Sequence, residues 1–335
     1  MQDQGTDPLV FVIVLNFNGL DVNDTCITSL LASEYPNFKI LFVDNGSSDG
    51  SVEHVRLQYP TVEILENKEN LFFAAGNNRG IEHALQQEAD YIFILNNDTM
   101  VASTCISLLV AFMEQADDAG AIQPLLCLMD NPQVIASAGC RVSLSGRAWD
   151  DGFGNSCTSF GTIPREVSGV TGGAMLVRAQ VFRAVGMFDE RFEMYFEDVD
   201  LSWRIRRNGS RVFIVPQARV GHKVSATTAK GFSALRIRLT EANSYRLIVG
   251  HFPLWLICFG YPLSLFFSLA VAGRAVLRRQ PDNAGAAMLG ALDGLRILLP
   301  ELLNRLAGRS GRKSVPVGWI AWQSFFPPAC RFPQP

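Results

Sequence analysis

Ile40-Leu41-Phe42-Val43 runs into Asp44-Asn45-Gly46-Ser47-Ser48-Asp49-Gly50, and Tyr91-Ile92-Phe93-Ile94-Leu95 runs into Asn96-Asn97-Asp98. Both segments are short apolar runs, rich in β-branched and aromatic residues, closed by turn-forming residues. That pattern is the signature of buried parallel strands. In open α/β sheets the crevice beyond the carboxyl ends of the strands is where ligands bind. The two runs therefore deliver Asp44 and Asp98 to the place where a ligand would sit. A third acidic cluster, Phe196-Glu197-Asp198-Val199-Asp200-Leu201-Ser202-Trp203-Arg204, comes a hundred residues later.

The same alternation extends outward. Strands are expected over residues 9–15, 39–43, 62–65 and 91–95, with helices over 24–32, 51–58, 74–87 and from a Ser103 cap to about 115. Strands and helices in this rhythm make βαβ units and a mostly parallel, Rossmann-like sheet. After Pro124 the pattern loosens, and residues 130–168, rich in Gly, Ser, Asn and Asp, read as hairpins or an insertion near the site. Strand character returns over 169–177, helices over 179–185 and 197–208 with Gly209 as the stop, and a last core strand over 212–215.

The chain divides by charge as well as by pattern. Residues 1–200 carry 10 Lys/Arg and 28 Asp/Glu (−18), whereas residues 201–335 carry 19 and 4 (+15). From Ser233 onward the reading is helical and apolar. Residues 252–273 form an uncharged run of 22, followed by Arg274, Arg278 and Arg279. That length suffices to cross a bilayer, but Pro253 and Pro262 favour a bent or interfacial segment. Residues 284–306, which mix Leu and Ala with Asp293, Arg296, Glu301 and Arg305, read as an amphipathic helix lying on something. A basic tail suits nucleic acid or anionic lipid, and the apolar stretch favours lipid. We therefore expect a domain over residues 1–232 and a membrane-associated helical region over 233–335, with no nucleic-acid partner. The polar N-terminus lacks the pattern of a signal peptide, and seven scattered cysteines without a Cys-x-x-Cys pair point to a reducing compartment.

Each candidate residue has two readings. Asp44 accepts a hydrogen bond from the imide N–H of uracil or thymine, or closes an Asx-turn. Asp98 binds Mg²⁺ or Mn²⁺, or caps the segment that follows. His222, just beyond the last core strand, is structural or a metal ligand suited to Mn²⁺. Residues 70–80, Asn-Leu-Phe-Phe-Ala-Ala-Gly-Asn-Asn-Arg-Gly, form a loop entering a helix whose backbone N–H groups face a ligand. They match neither a Walker loop nor Gly-x-Gly-x-x-Gly, which argues against kinases and dehydrogenases. Glu197 and Asp198 either complement a helix dipole or supply a general base, and Asp200 and Arg204 are spaced to pair.

Taken in order, residues 12–19, 43–51, 70–80, 95–98, 171–178, 188–190 and 196–204, closed by His222, resemble the family-2 glycosyltransferases of the GT-A fold, in their rhamnosyltransferase-like branch. The resemblance spans about residues 9–250. It implies inverting transfer of a sugar, rhamnose first, from a dTDP- or UDP-sugar to a lipid-linked or glycan acceptor in surface polysaccharide synthesis of the O-antigen type. It implies that Asn16, Asn18, Asp44, Asn45, Asn70, Gly76, Asn77, Arg79 and Asn97 hold the nucleotide. It implies further that Asp98 binds the divalent metal, with His222 as an additional ligand, and that Asp198 is the base, supported by Glu197. Thr171, Gly172, Gly173, Ala174 and Trp203 would line the sugar and acceptor pocket. The expected setting is the cytoplasmic face of the inner membrane, peripheral or with a single span.

Two departures stand out. The usual Asp-x-Asp is here Asn96-Asn97-Asp98, with one carboxylate. No Gln-x-x-Arg-Trp follows Trp203-Arg204, so one or a few sugars per acceptor are expected. The single carboxylate also fits a non-catalytic, nucleotide-sugar-binding membrane scaffold. A nucleotidyltransferase would need a Gly-rich loop with Arg and Lys near the N-terminus, which this sequence lacks.

Overall fold

The computed structural model describes residues 7–223, 234–307 and 314–321. The expected alternation opens the chain: β1 (Val10–Asn16), α1 (Asn23–Leu31), β2 (Phe38–Asp44), α2 (Ser51–Gln58), β3 (Glu63–Glu66), α3 (Phe72–Gln86) and β4 (Tyr91–Asn96). β5 (Thr99–Val101), α4 (Cys105–Gln115) and β6 (Ala119–Leu128) follow. The insertion contributes β7 (Asn131–Ser137), β8 (Cys140–Ser143), β9 (Ala148–Asp150), the single-turn α5 (Cys157–Phe160) and β10 (Arg165–Glu166). β11 (Ala174–Arg178), α6 (Ala179–Val185), α7 (Glu197–Arg207) and β12 (Arg211–His222) complete the core. Three long helices, α8 (Ala234–His251), α9 (Leu254–Leu277) and α10 (Pro281–Leu306), and the short β13 (Ile320–Ala321) come last.

The main sheet runs β10-β12-β6-β11-β4-β1-β2-β3. It is parallel through β4-β1-β2-β3 and again between β6 and β12, with β11 antiparallel between the two blocks. Strict alternation on β1 sends Val10, Val12 and Val14 into a layer with α1 and α4, and Phe11 and Ile13 into the opposite layer with α3 and α6. The result is a three-layer α/β/α core.

Three expectations are corrected. β6 is a fully formed central strand where the sequence pattern breaks at Pro124. The proline fits because β12 bulges there: Val215 pairs with Pro124, Arg219 with Leu125, and the intervening residues loop out. Ser103 does not cap α4; its hydroxyl donates to Glu34. His222 is the last residue of β12, paired with Leu128 on one side and Thr99 on the other, and is not beyond the strand.

The C-terminal helices pack on the core through α7. α10 presents Ala286, Ala287, Gly290, Ala291 and Gly294 inward. A Cβ at Gly290 would lie 2.6 Å from the Arg238 carbonyl, and one at Gly294 would lie 2.2 Å from the Tyr245 ring. Small residues thus let α10 seat closely on α8. Two charges of α10 are tied to α8 and its C-terminal end: Asp293 pairs with Arg238 at 2.8 Å, and Arg305 donates to the carbonyls of Val249 and Phe252. Leu292, Leu295, Leu299, Leu303 and Leu306 stand exposed instead, as do Trp255, Phe259, Phe266, Leu269 and Val276 on α9. α9 is the one helix among the described residues long and apolar enough to cross a membrane. Cys330 and residues 1–6 lie outside the described residues.

Candidate active site

Register gathers the motif ends along one edge of the sheet. Asn16 pairs with Asp44, and Leu15 pairs with Asn96. The Asn16 amide donates to Asp44 at 2.8 Å, Ser47 at 3.0 Å and Ser51 at 2.9 Å. Asn97 donates to Asn16 at 3.0 Å and to Asn23 at 2.9 Å. Asp44 also accepts from the Ser47 backbone N–H at 2.8 Å, so its carboxylate closes an Asx-turn here. Asn18, at φ 51°, accepts from the Ser48 N–H and donates its own N–H to Ser47, which fixes the rim.

The entry to α3 is held by amides. Asn45 donates to the Phe72 carbonyl at 2.9 Å and accepts from Asn67, while Asn70 accepts the Phe72 N–H. Three candidates deeper in α3 do not join this cluster. Gly76 serves packing, since a Cβ there would lie 2.7 Å from the Asn45 amide. Asn77 is buried and donates back to Phe73 within the helix. Arg79 extends into solvent beside Glu82.

Asp98 and His222 meet, with Nε2 3.2 Å from Oδ1. Burial opposes the imidazolium, but the hydrogen bond and charge of Asp98 more than offset it, so His222 is pushed above its ordinary range. Gly173 sits against this pair; a Cβ there would stand 3.7 Å from His222 Cε1 and from the Asn96 amide. The next residue back, Gly172, donates its N–H to Asp198 at 2.9 Å. The backbone of these two glycines therefore links the Asp98–His222 pair to Asp198, with the Phe73 ring seated against Gly172. Thr171 is held by Gln123 at 2.8 Å.

Asp198 lies in the first turn of α7, and its second oxygen accepts the Val199 N–H at 2.8 Å. Burial raises its carboxyl to about 6 against those two backbone donors. Burial pushes Glu197 well above its ordinary range, helped by the charge of Asp198; its Oε2 is buried without a hydrogen-bond partner. The loop entering α7 is strained: Glu193, Tyr195 and Phe196 have φ of 58°, 73° and 72°. Such backbone persists where its surroundings over-determine it. Here Asn243 of α8 places its amide within 3.0 Å of the Phe192, Met194 and Tyr195 carbonyls.

Two expected pocket residues are corrected. Trp203 is fully buried between α7 and the C-terminal helices, its ring 5.2 Å from His251 and 6.3 Å from Phe252, and it lines no cleft. The Ala174 methyl is sealed in the core of β11. Sequence reasoning missed Asp150, at the end of β9, whose negative charge helps to raise both Asp198 and His222. It also missed Asn243, which no local motif marks.

This architecture is that of GT-A glycosyltransferases. The chain is similar to the structure of GalNAc-T7 with UDP, GalNAc and Mn²⁺ (TM-score 0.62, 17% identity), covering 78% of this chain and about half, 52%, of that one. It is also similar to the mannosyltransferase PcManGT from Pyrobaculum calidifontis with GDP-Man and Mn²⁺ (TM-score 0.55, 15% identity, 87% and 88% covered). The family model "Glycosyl transferase family 2" matches residues 11–148, and "Glycosyl transferase family group 2" matches residues 91–279. The chain belongs to the family-2 glycosyltransferases. Among its relatives is the N-acetylglucosaminyl-diphospho-decaprenol L-rhamnosyltransferase of Mycobacterium tuberculosis, 29% identical over 244 residues, or 67% of this chain and 79% of that one. Another is the O-antigen biosynthesis protein RfbC of Myxococcus xanthus, 30% identical over 229 residues, or 66% of this chain and 18% of that protein. Membership makes the protein a glycosyltransferase and removes the scaffold reading.

Proposed function

We propose that this enzyme transfers a sugar, rhamnose first, with inversion from a dTDP- or UDP-sugar to a lipid-linked acceptor in surface polysaccharide synthesis. The observation that carries this is the Gly172-Gly173 step, whose backbone is hydrogen-bonded to Asp198 at one residue and lies against the Asp98–His222 pair at the next. The rhamnosyl and diphospho-decaprenol chemistry in the name of the mycobacterial relative supports the choice of sugar and acceptor.

The residues fit a divalent cation. Asp98 and His222 offer one carboxylate oxygen and one imidazole, and no group of three or more His, Cys, Asp or Glu clusters among the described residues. A two-donor site suits a hard cation that takes its remaining ligands from substrate phosphates and water. When bound, Mg²⁺ or Mn²⁺ neutralises charge on the departing diphosphate. Asp44, Asn16, Asn97 and Asn45 hold the nucleotide, with Asp44 exchanging a turn contact for the base N–H. Asp198 takes the proton from the acceptor hydroxyl as the new C–O bond forms at the anomeric carbon and the bond to the diphosphate breaks. One displacement inverts that carbon, without a covalent sugar–enzyme intermediate. Glu197, whose carboxyl burial pushes well above its ordinary range, supports the base from the neighbouring position. α9 and α10 lie along the cytoplasmic face of the membrane with their exposed leucines and phenylalanines in lipid and Arg274, Arg278 and Arg279 near anionic headgroups.

Calorimetric titration of dTDP, UDP and GDP, with and without Mn²⁺, tests the donor site. Metal-dependent binding of dTDP or UDP that disappears in Asp98→Ala is expected. Binding of no nucleotide by the folded protein overturns the reading.

A further inference from the structure

A cleft of about 330 Å³ opens where the 190–193 turn, α8 and α10 meet. Its polar wall carries Arg191, Arg238, Arg246 and Arg296, against Glu193 and Asp293. The counter-charges are unevenly shared. Arg191 is held by Asp189 at 2.6 Å and by Glu301 at 3.5 Å, while Asp293 serves both Arg238 at 2.8 Å and Arg296 at 3.4 Å. Arg246 forms no ion pair among the described residues, and its Nε is buried without a hydrogen-bond partner. Burial and the neighbouring Arg191 press its guanidinium below its ordinary range, against the pull of Asp189, Glu193 and Asp293.

The outer wall is apolar. Leu235 and Ile297 line it, and the exposed Leu292, Leu295 and Leu299 continue it along α10. Guanidinium forks match phosphate oxygens two at a time, so clustered arginines with one donor unspent suit a phosphate or diphosphate. An apolar ramp leading away from that cluster suits an anion carried on a hydrocarbon chain. The inner wall includes Asn243, the residue that fixes the loop carrying Glu197 and Asp198. The anion site therefore stands one loop from the base.

We propose that this cleft binds the diphosphate of a prenyl-diphosphate-linked acceptor, with the prenyl chain leaving over Leu235 and the α10 leucines. The proposal rests on the lipid-linked acceptor proposed above and adds where its diphosphate is held. Arg246 and Arg296 are binding residues for the acceptor, distinct from the donor site at Asp98.

Calorimetry with farnesyl diphosphate and inorganic pyrophosphate on the full chain tests it. Wild-type protein is expected to bind farnesyl diphosphate, and Arg246→Ala to weaken this about tenfold, the scale of one charge-assisted hydrogen bond. Arg246→Lys should recover part of the loss. Arg296→Ala, at an exposed side chain whose removal leaves the core intact, should weaken binding about threefold or more. Mn²⁺-dependent dTDP or UDP binding should stay as in wild type in every variant, and KM for the acceptor should rise while kcat holds.

The cleft assignment is overturned if farnesyl diphosphate does not bind, or binds all variants alike. It is also overturned if phosphatidylglycerol vesicles displace the probe while pyrophosphate does not, which would make a phospholipid headgroup the occupant. Sugar transfer to a lipid-diphosphate acceptor with a KM indifferent to both arginines likewise removes the cleft and keeps the enzyme's function. Arginine-dependent probe binding without such transfer keeps the cleft as a prenyl-diphosphate site and removes the acceptor reading.

Discussion

His251 of α8 lies 2.7 Å from Asp200 of α7, and neither side chain touches solvent. The other oxygen of Asp200 accepts from Arg204 at 2.7 Å, and Arg204 in turn donates to the Val185, Gly186 and Met187 carbonyls. The C-terminal helices are thus bonded into the helix that carries the candidate base, two residues from it.

Removing Asp200 takes one buried, charged partner from each of His251 and Arg204. Asp200→Ala is expected to cost about 3–5 kcal/mol, the scale for breaking a buried charged network. Urea denaturation measures it; a loss below about 1 kcal/mol would mean that the network does not contribute to the fold. Ending the chain at residue 232 should give an aggregating product, because Val199 and Trp203 lose their cover.

The raised Asp198 carboxyl sets an acid limit on activity. Transfer should climb with pH through about 6, as the base loses its proton, and level off above that. The sign for stability is opposite. The folded state binds this proton more tightly than the unfolded chain, whose value is near the ordinary 3.8. The contribution is whole below that value and is lost as pH rises through about 6. Asp198→Asn should abolish transfer, retain nucleotide binding and leave one of the Gly172 and Val199 N–H groups without its acceptor, at about 1–3 kcal/mol. Normal transfer by that variant would remove Asp198 from the mechanism.

Asn243 holds a strained loop from a distance. Asn243→Ala should relax residues 192–196 and lower kcat by up to about a hundredfold, as small misplacements of catalytic groups do. Donor-nucleotide affinity should not change. Equal losses in both, read by steady-state kinetics and calorimetry, would mark a general collapse of the fold.

Gly76 allows α3 to approach Asn45. Gly76→Ala pushes a methyl into the Asn45 amide and Leu15, so a loss of about 1–3 kcal/mol is expected together with weaker nucleotide binding. Thermal unfolding and nucleotide titration check the two effects separately.

The exposed apolar faces of α9 and α10 give a test that spares the core. Phe259→Asp combined with Leu299→Asp should keep the melting temperature while reducing co-sedimentation with phosphatidylglycerol vesicles. Undiminished sedimentation would place the lipid contact elsewhere.

The parallel strands were readable because their core faces repeat without interruption and end in turn residues; Ser51–Gln58 and Ala179–Val185 were readable to the residue. β6 was not, since a proline is tolerated mid-strand only when a neighbour bulges, and that bulge lies ninety residues away in β12. Asp44, Asp98 and Asp198 stood out because each ends or begins an element. Asp150 reaches the site only through its charge, and Asn243 only through tertiary contact with the loop before α7. Trp203 misled because Asp198 of its motif is bonded to Gly172, whereas its own ring packs on His251 and Phe252 behind α7.

The burial of Trp203 against Phe252 also fixes an order of assembly. During synthesis the α/β layers can collect as they emerge, but α7 is left with an uncovered indole until α8 and the start of α9 have been made. The strained loop ahead of Asp198 likewise waits for Asn243. The nascent chain therefore acquires the corner around Asp198 only once α8 and the start of α9 are present.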